Sequence, residues 1–265
     1  MTFPSVNFDR ALGVTVVTLT VIALGIVGAA VALANGVIGG DGQRAGEVTI
    51  QSPAPPPPGV VDRADTGAST GASVGVVVDP YLPDPAWLGR TAAATGIPER
   101  ALAAYARAHL QILDEQPDCA VAWNTVAALG AVESGHGTFG GAQLGADGRP
   151  SPEIRGPALD GGDFAAIRDT DGGSLDGDTT WDRAVGPLQF IPSTWADWAA
   201  DGNRDGTADP DQIDDAALAA GRYLCHSGEL DTPEAWQRAV FSFNHSDAYV
   251  ADIAGLANSY AVAAG

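Results

Sequence analysis

Residues 120–137 read AVAWNTVAALGAVESGHG, and the fold is decided by how this stretch is read. From Ala120 to Val132 the only side chains that hydrogen-bond strongly are Asn124 and Thr125. Such a run is predicted as a largely buried helix, not a half-wet surface one. Its one carboxylate, Glu133, stands at the end of the run, just before the glycine turn Ser134-Gly135-His136-Gly137. Burial disfavours the charged form of a carboxylate, and so does the negative end of a helix, so Glu133 is expected to keep its proton near neutral pH. A carboxylic acid in that state can donate to a leaving oxygen. The competing reading is a solvated Glu at a frayed helix end.

The chain has 265 residues and a formal net charge of -20, enough for one domain with a real core plus tails. Every basic residue is an arginine. The absence of lysine excludes a P-loop lysine, a Schiff-base lysine and a lysine general base. Nucleic acid is excluded as a partner for want of a basic face. The acidity gives no help in holding an anionic polymer, which would have to be gripped by shape and hydrogen bonds.

After a short tail, 1–10, residues 11–34 contain no charge and are long enough to span a bilayer of ~30 Å. They are predicted as a single-pass membrane anchor, the alternative being a signal cleaved near Ala34. Residues 35–78 read as a disordered linker, stiffened by the polyproline run within 51–59. Cys119 and Cys225 are the only cysteines, and in an exported protein they suggest one disulfide. Two buried free thiols would instead suit a cytoplasmic domain.

The folded domain is predicted over 79–265 as all-α. Leu102, Tyr105, His109 and Ile112 recur at helical spacing between Pro98 and Pro117. Residues 140–177 form a long Gly-, Asp- and Pro-rich excursion, in which Asp169-Thr170-Asp171-Gly172-Gly173 suggests ordered turns. A helix is predicted from Pro192, with Ser193 as cap and Trp195 and Trp198 on one face, and further helices over 215–225, 233–241 and 248–264. No stretch alternates persistently like a strand.

Asp201, Asn203, Asp205, Thr207 and Asp209 fall at every second position, with Gly206 where an EF-hand-like calcium loop makes its sharp turn. Position 12 is Gln212 in place of the usual bidentate Glu, and Asp214 and Asp215 follow. A metal-free Asp/Gly turn is the alternative.

Taken together, Glu133-Ser134-Gly135-His136-Gly137, the run Ala184 to Trp195, the acidic loop and Phe243-Asn244-His245-Ser246-Asp247-Ala248-Tyr249 resemble, in that order, the lytic murein transglycosylases of the membrane-bound B type. The likeness spans roughly 81–260, and the composition looks actinobacterial. It implies a lysozyme-like (goose-type) helical fold and cleavage of the MurNAc–GlcNAc β-1,4 bond of peptidoglycan with formation of 1,6-anhydroMurNAc. By this resemblance Glu133 is the acid/base, and Ser134, Thr180, Gln189, Asn244 and Tyr249 line the sugar groove. The last ligand of a structural calcium site formed by Asp201, Asn203, Asp205 and Thr207 becomes Asp215. No organic cofactor is implied. Phe243 departs from the family, where a tyrosine commonly precedes the asparagine. The implied setting is the cell membrane with the catalytic domain extracytoplasmic. Two alternatives stay open, a lysozyme-type hydrolase and a non-catalytic, calcium-stabilised wall-binding module.

Overall fold

The helix predicted around residues 120–132 forms as α3, Trp123–Ser134, in a computed structural model that describes residues 48–59, 79–162 and 164–265. The proposed anchor at 11–34 lies outside the described residues. Among those described, no helix is long and apolar enough to cross a membrane. Ten of the twelve residues of α3 are buried, and Gly135 in the left-handed conformation ends it.

Helices before and after it in the chain pack on α3. Before it come α1, Pro85–Thr95, whose Asp84 caps the Trp87 N–H, and α2, Glu99–Glu115. The periodic residues Leu102, Tyr105, His109 and Ile112 are all buried, and Pro98 is the N-cap of α2. At the end of the chain lies α7, Asp247–Ala264, capped by Ser246. Two close approaches need glycine. A Cβ on Gly130 of α3 would stand 2.0 Å from the Tyr105 hydroxyl, and one on Gly221 would meet Ile112 at 2.2 Å. Gly221 belongs to α5, Ile213–Cys225, which packs along α2. Between α5 and α7 runs α6, Pro233–Phe243, capped by Thr232. Of these, α2, α5 and α7 pack on α3 directly, and α1 does so through Trp87 against Trp123. Cys119 and Cys225 are joined in a disulfide, which fastens the segment before α3 to the end of α5.

The short α4, Pro192–Trp198, differs from expectation at its start: Ile191 is the N-cap, and the Ser193 hydroxyl is buried without a partner. Its tryptophans serve packing. Trp195 stacks edge-on against Phe190, and Trp198 against Tyr223 and His226. Phe243 belongs to the same aromatic chain, between Phe190 and Tyr223 and 3% exposed, so its departure from the family tyrosine is a matter of core packing.

Two sequence expectations need correction. The all-α assignment gives way to a mostly helical domain with two small antiparallel sheets in and just after the excursion: β1, Gln143–Leu144, with β2, Pro150–Ser151, and β3, Arg155–Ala158, with β4, Arg183–Val185. Such short strands offer too few residues to alternate visibly, and backbone pairing to a distant partner makes them. The second correction concerns residues 48–59, read as linker. Asn258 brackets this segment, its Oδ1 accepting from the Gln51 N–H at 2.7 Å and its Nδ2 donating to the Thr49 carbonyl at 2.6 Å. Asn124 Nδ2 donates to the Gln51 carbonyl at 2.8 Å, and Val48 and Ile50 pack on the core. Further along, the Gly59 and Asp84 N–H groups donate to Leu82 and Pro57 carbonyls, both at 2.7 Å. The segment is a strap across the α1, α3 and α7 face.

Candidate active site

Glu133 lies one residue before the end of α3 and is 5% exposed. Burial pushes its carboxyl up to about 8, against the smaller opposing effect of a hydrogen bond from Tyr249. The reading of a frayed, solvated Glu is therefore excluded. Tyr249, in the first turn of α7, donates its hydroxyl to Glu133 Oε1 at 2.6 Å. Burial and the neighbouring Glu133 hold the Tyr249 hydroxyl well above its ordinary value, so it remains a donor. With Oε1 accepting, the acid proton resides on Oε2, the oxygen left for a substrate. Among the described residues no other charged group shifts Glu133.

The turn after Glu133 is held from two sides. Ser134 is fully buried, its hydroxyl donating to the Pro187 carbonyl at 2.6 Å and accepting from the Gly137 N–H at 2.8 Å. Its expected substrate contact is corrected on this ground: both sides of the hydroxyl are spent joining the Glu133 turn to the loop of residues 186–189. On the other side the His136 ring bridges the Tyr105 and Tyr260 hydroxyls at 3.1 and 3.2 Å, and burial pushes it down to about 4. A neutral imidazole can accept from one tyrosine and donate to the other.

Gln189 sits beyond that tie with φ of 50°, its Nε2 donating to the Gly186 carbonyl at 2.8 Å. It is 3% exposed, and Gly156 of β3 lies against it: a Cβ there would stand 3.2 Å from Gln189 Oε1. Asn244, at the end of α6, is buried with no side-chain hydrogen bond among the described residues, leaving its amide available. Thr180 is exposed at a bend before β4, its carbonyl accepting from the Asp169 N–H, and its hydroxyl hydrogen-bonds to neither Glu133 nor Gln189. The structure thus gathers Glu133, Tyr249 and the 186–189 loop and leaves Thr180 on the ribbon. A cleft of about 350 Å³ beside the disulfide, where Glu115, Asp118 and Glu229 lie, contains none of these residues.

The acidic loop 201–215 is ordered by its own backbone. Asp201 accepts from the Asp205 and Gly206 N–H groups, and Asp205 from Thr207. Asp215 is fully buried and accepts from Gly202, Asn203 and Asp209. Burial pushes Asp215 up to about 7, with repulsion from Asp201 and Asp205 adding to it, and no arginine among the described residues pairs with it. One buried carboxylate with two further acids beside it is a donor set that fits a hard cation. The oxygens are nevertheless spread, so calcium would have to draw them inward. Among the described residues, the acidic trio whose oxygens converge within 4.8 Å is Asp169, Asp171 and Asp182, in the excursion. Those groups bind the turn itself, through the N–H groups of Thr170, Gly172 and Leu175 among others, which makes them turn-formers.

A family model described as the transglycosylase SLT domain matches residues 164–252, about a third of the chain. The match takes in Thr180, Gln189, the acidic loop, Asn244 and Tyr249 and stops short of Glu133. The crystal structure of SltB3 from Pseudomonas aeruginosa in complex with NAG-anhNAM-pentapeptide is similar at 18% identity and a TM-score of 0.38, covering 68% of this chain and 67% of that one. No curated protein matches the chain.

Proposed function

We propose that the protein is a peptidoglycan lytic transglycosylase that cleaves the MurNAc–GlcNAc β-1,4 bond, with Glu133 as its single acid/base. One observation carries this: the 2.6 Å hydrogen bond from Tyr249, inside the stretch matched by the transglycosylase model, to Glu133, outside it. That contact joins a buried, proton-holding acid to the matched segment.

The chemistry follows from the protonation state. At neutral pH Glu133 carries the proton that the leaving oxygen needs, on Oε2, while Tyr249 fixes the other oxygen. Having given it up, the carboxylate can take a proton from the C6 hydroxyl of the same sugar, which closes onto C1 to give the 1,6-anhydro end. A hydrolase of the usual kind pairs its acid with a second carboxylate about 5 to 9.5 Å away. No other charged group among the described residues perturbs Glu133, which supports the one-carboxylate route. Asn244 offers its unpaired amide to the sugar, and Gln189 floors the groove beside β3. The fold is of the lysozyme-like helical kind.

Calcium is a structural ion here, held by Asp201, Asn203, Asp205, Asp215 and the Thr207 carbonyl, and it takes no part in the reaction. The domain works outside the cytoplasm, anchored by residues 11–34. The Cys119–Cys225 disulfide supports an oxidising compartment.

The test is Glu133→Gln, which keeps the shape and the acceptor for Tyr249 but has no acidic proton. Release of fragments from purified peptidoglycan is expected to fall by at least about 10²–10⁴-fold, the usual worth of general acid catalysis, with the fold intact. A variant retaining more than half the activity would remove Glu133 from the chemistry.

A further inference from the structure

Of the four arginines in the excursion and the strand after it, three are consumed by ion pairs: Arg149 with Asp209, Arg155 with Asp211 and Arg183 with Asp178. Arg168 has no carboxylate partner among the described residues, although the chain carries a net charge of -20. It is exposed, and its guanidinium carbon lies 3.9 Å from the centroid of the Trp181 ring. The two residues face each other as an antiparallel bridge. The backbone fixes the rungs on both sides, through Asp182 N–H to the Ile167 carbonyl and Asp169 N–H to the Thr180 carbonyl, at 3.0 and 3.2 Å.

The neighbouring acids are engaged elsewhere. Asp169 Oδ1 accepts from the N–H groups of Asp171, Gly172 and Gly173, Asp182 from the Thr170 N–H and hydroxyl, and Asp178 pairs with Arg183. Stacking occupies the face of the guanidinium and leaves its edge, with five N–H donors in a fixed fork, for an incoming group. The geometry of that edge matches a carboxylate with two parallel bonds. The ribbon also leads to the site: β3 abuts Gln189 through Gly156, and Trp181 precedes Val185 by four residues, on the order of 13 Å of strand.

We infer that Arg168, stacked on Trp181, is a carboxylate-receiving subsite for the peptide stems of the glycan substrate. This deepens the reading above and rests on it, since the free carboxylates belong to the peptides of peptidoglycan. It also gives an acidic protein a cationic grip on an anionic polymer along the ribbon that leads to the site.

The test is calorimetric binding by the full chain in detergent, carrying Glu133→Gln to prevent turnover. The ligands are soluble glycan fragments with their peptides and the same fragments stripped of peptide by an amidase. One bidentate charge-assisted contact at an exposed site is expected to make the peptide-bearing form bind about tenfold tighter. Adding Arg168→Gln is expected to erase that difference and leave the stripped fragments unaffected, with Arg168→Lys intermediate. Arg168 is exposed, so an unchanged melting temperature checks the variant's fold. Unchanged affinity for peptide-bearing fragments in Arg168→Gln, or an equal loss for both ligands, overturns the subsite while the peptidoglycan reading stands. Failure of the parent to bind either ligand overturns that reading, and the subsite with it.

Discussion

Glu133 concentrates the argument at the scale of the residue, because one carboxyl must be both buried and protonated. Its pKa near 8 sets two expected outcomes. Activity depends on the protonated form, so the rate should hold through neutrality and fall as pH rises past about 8, provided the enzyme stays folded. A basic limb several units lower would mean that Glu133 is solvated. The stability effect has the opposite sense to a salt-bridged acid. The folded pKa lies above the ordinary value of 4.5, so the native state binds more protons than the unfolded one between about 4.5 and 8, and stability falls with rising pH across that window. Glu133→Gln removes this cost while keeping the Tyr249 hydrogen bond. The variant should therefore melt higher than the parent at pH 8 and about the same at pH 4, and the reverse order in thermal scans would contradict the burial assigned here.

At the scale of elements, the strap and the acidic loop are the parts to test. A chain starting at residue 48 should be more stable than one starting at 79, because truncation leaves Asn124 Nδ2 and the Asn258 amide without their strap partners and uncovers core against which Val48 and Ile50 pack. Lost hydrogen bonds at about 1 kcal/mol each, plus the apolar cover, give a loss on the order of 2–4 kcal/mol, readable by urea titration. Equal midpoints would return residues 48–59 to the linker. For the loop, calcium at a hundredfold excess over its Kd should add about 2.7 kcal/mol, so melting curves with calcium and with chelator should differ by several degrees. Coincident curves would leave the loop a metal-free turn. Most helices were legible in advance because apolar spacing is local, but α1 was not foreseen, and Ser193, the cap that was, gives way to Ile191; Ser246, Thr232 and Asp84 cap as their residue types allow. The strap and the β3–β4 ribbon were not legible, since their partners lie far away in sequence: Asn258 for Gln51, and Asp182 for Leu159. Proline-rich composition reads as linker unless one knows that two distant asparagines will receive it.

For the whole molecule, the site is an assembly of three pieces far apart in the chain: the end of α3, the loop of residues 186–189, and the start of α7. The acid and its turn were legible in the sequence, because a single carboxylate closing an apolar helix is a local signal. That Tyr249 would meet it came only from resemblance, and that Ser134 would be a tie instead of a sugar contact followed only from its Pro187 partner. The Arg168–Trp181 pair had no local signal, since the residues meet only when the ribbon closes. The disulfide completes the frame by fixing the entry of the acid-bearing helix to α5. The central claim is that this frame presents one acid to a glycan and lets the substrate's own hydroxyl finish the reaction. Mass spectrometry of the fragments released from purified peptidoglycan tests it most directly. The account predicts ends of 1,6-anhydroMurNAc, lost when Glu133 is replaced by Gln; reducing MurNAc ends from the intact protein would contradict it.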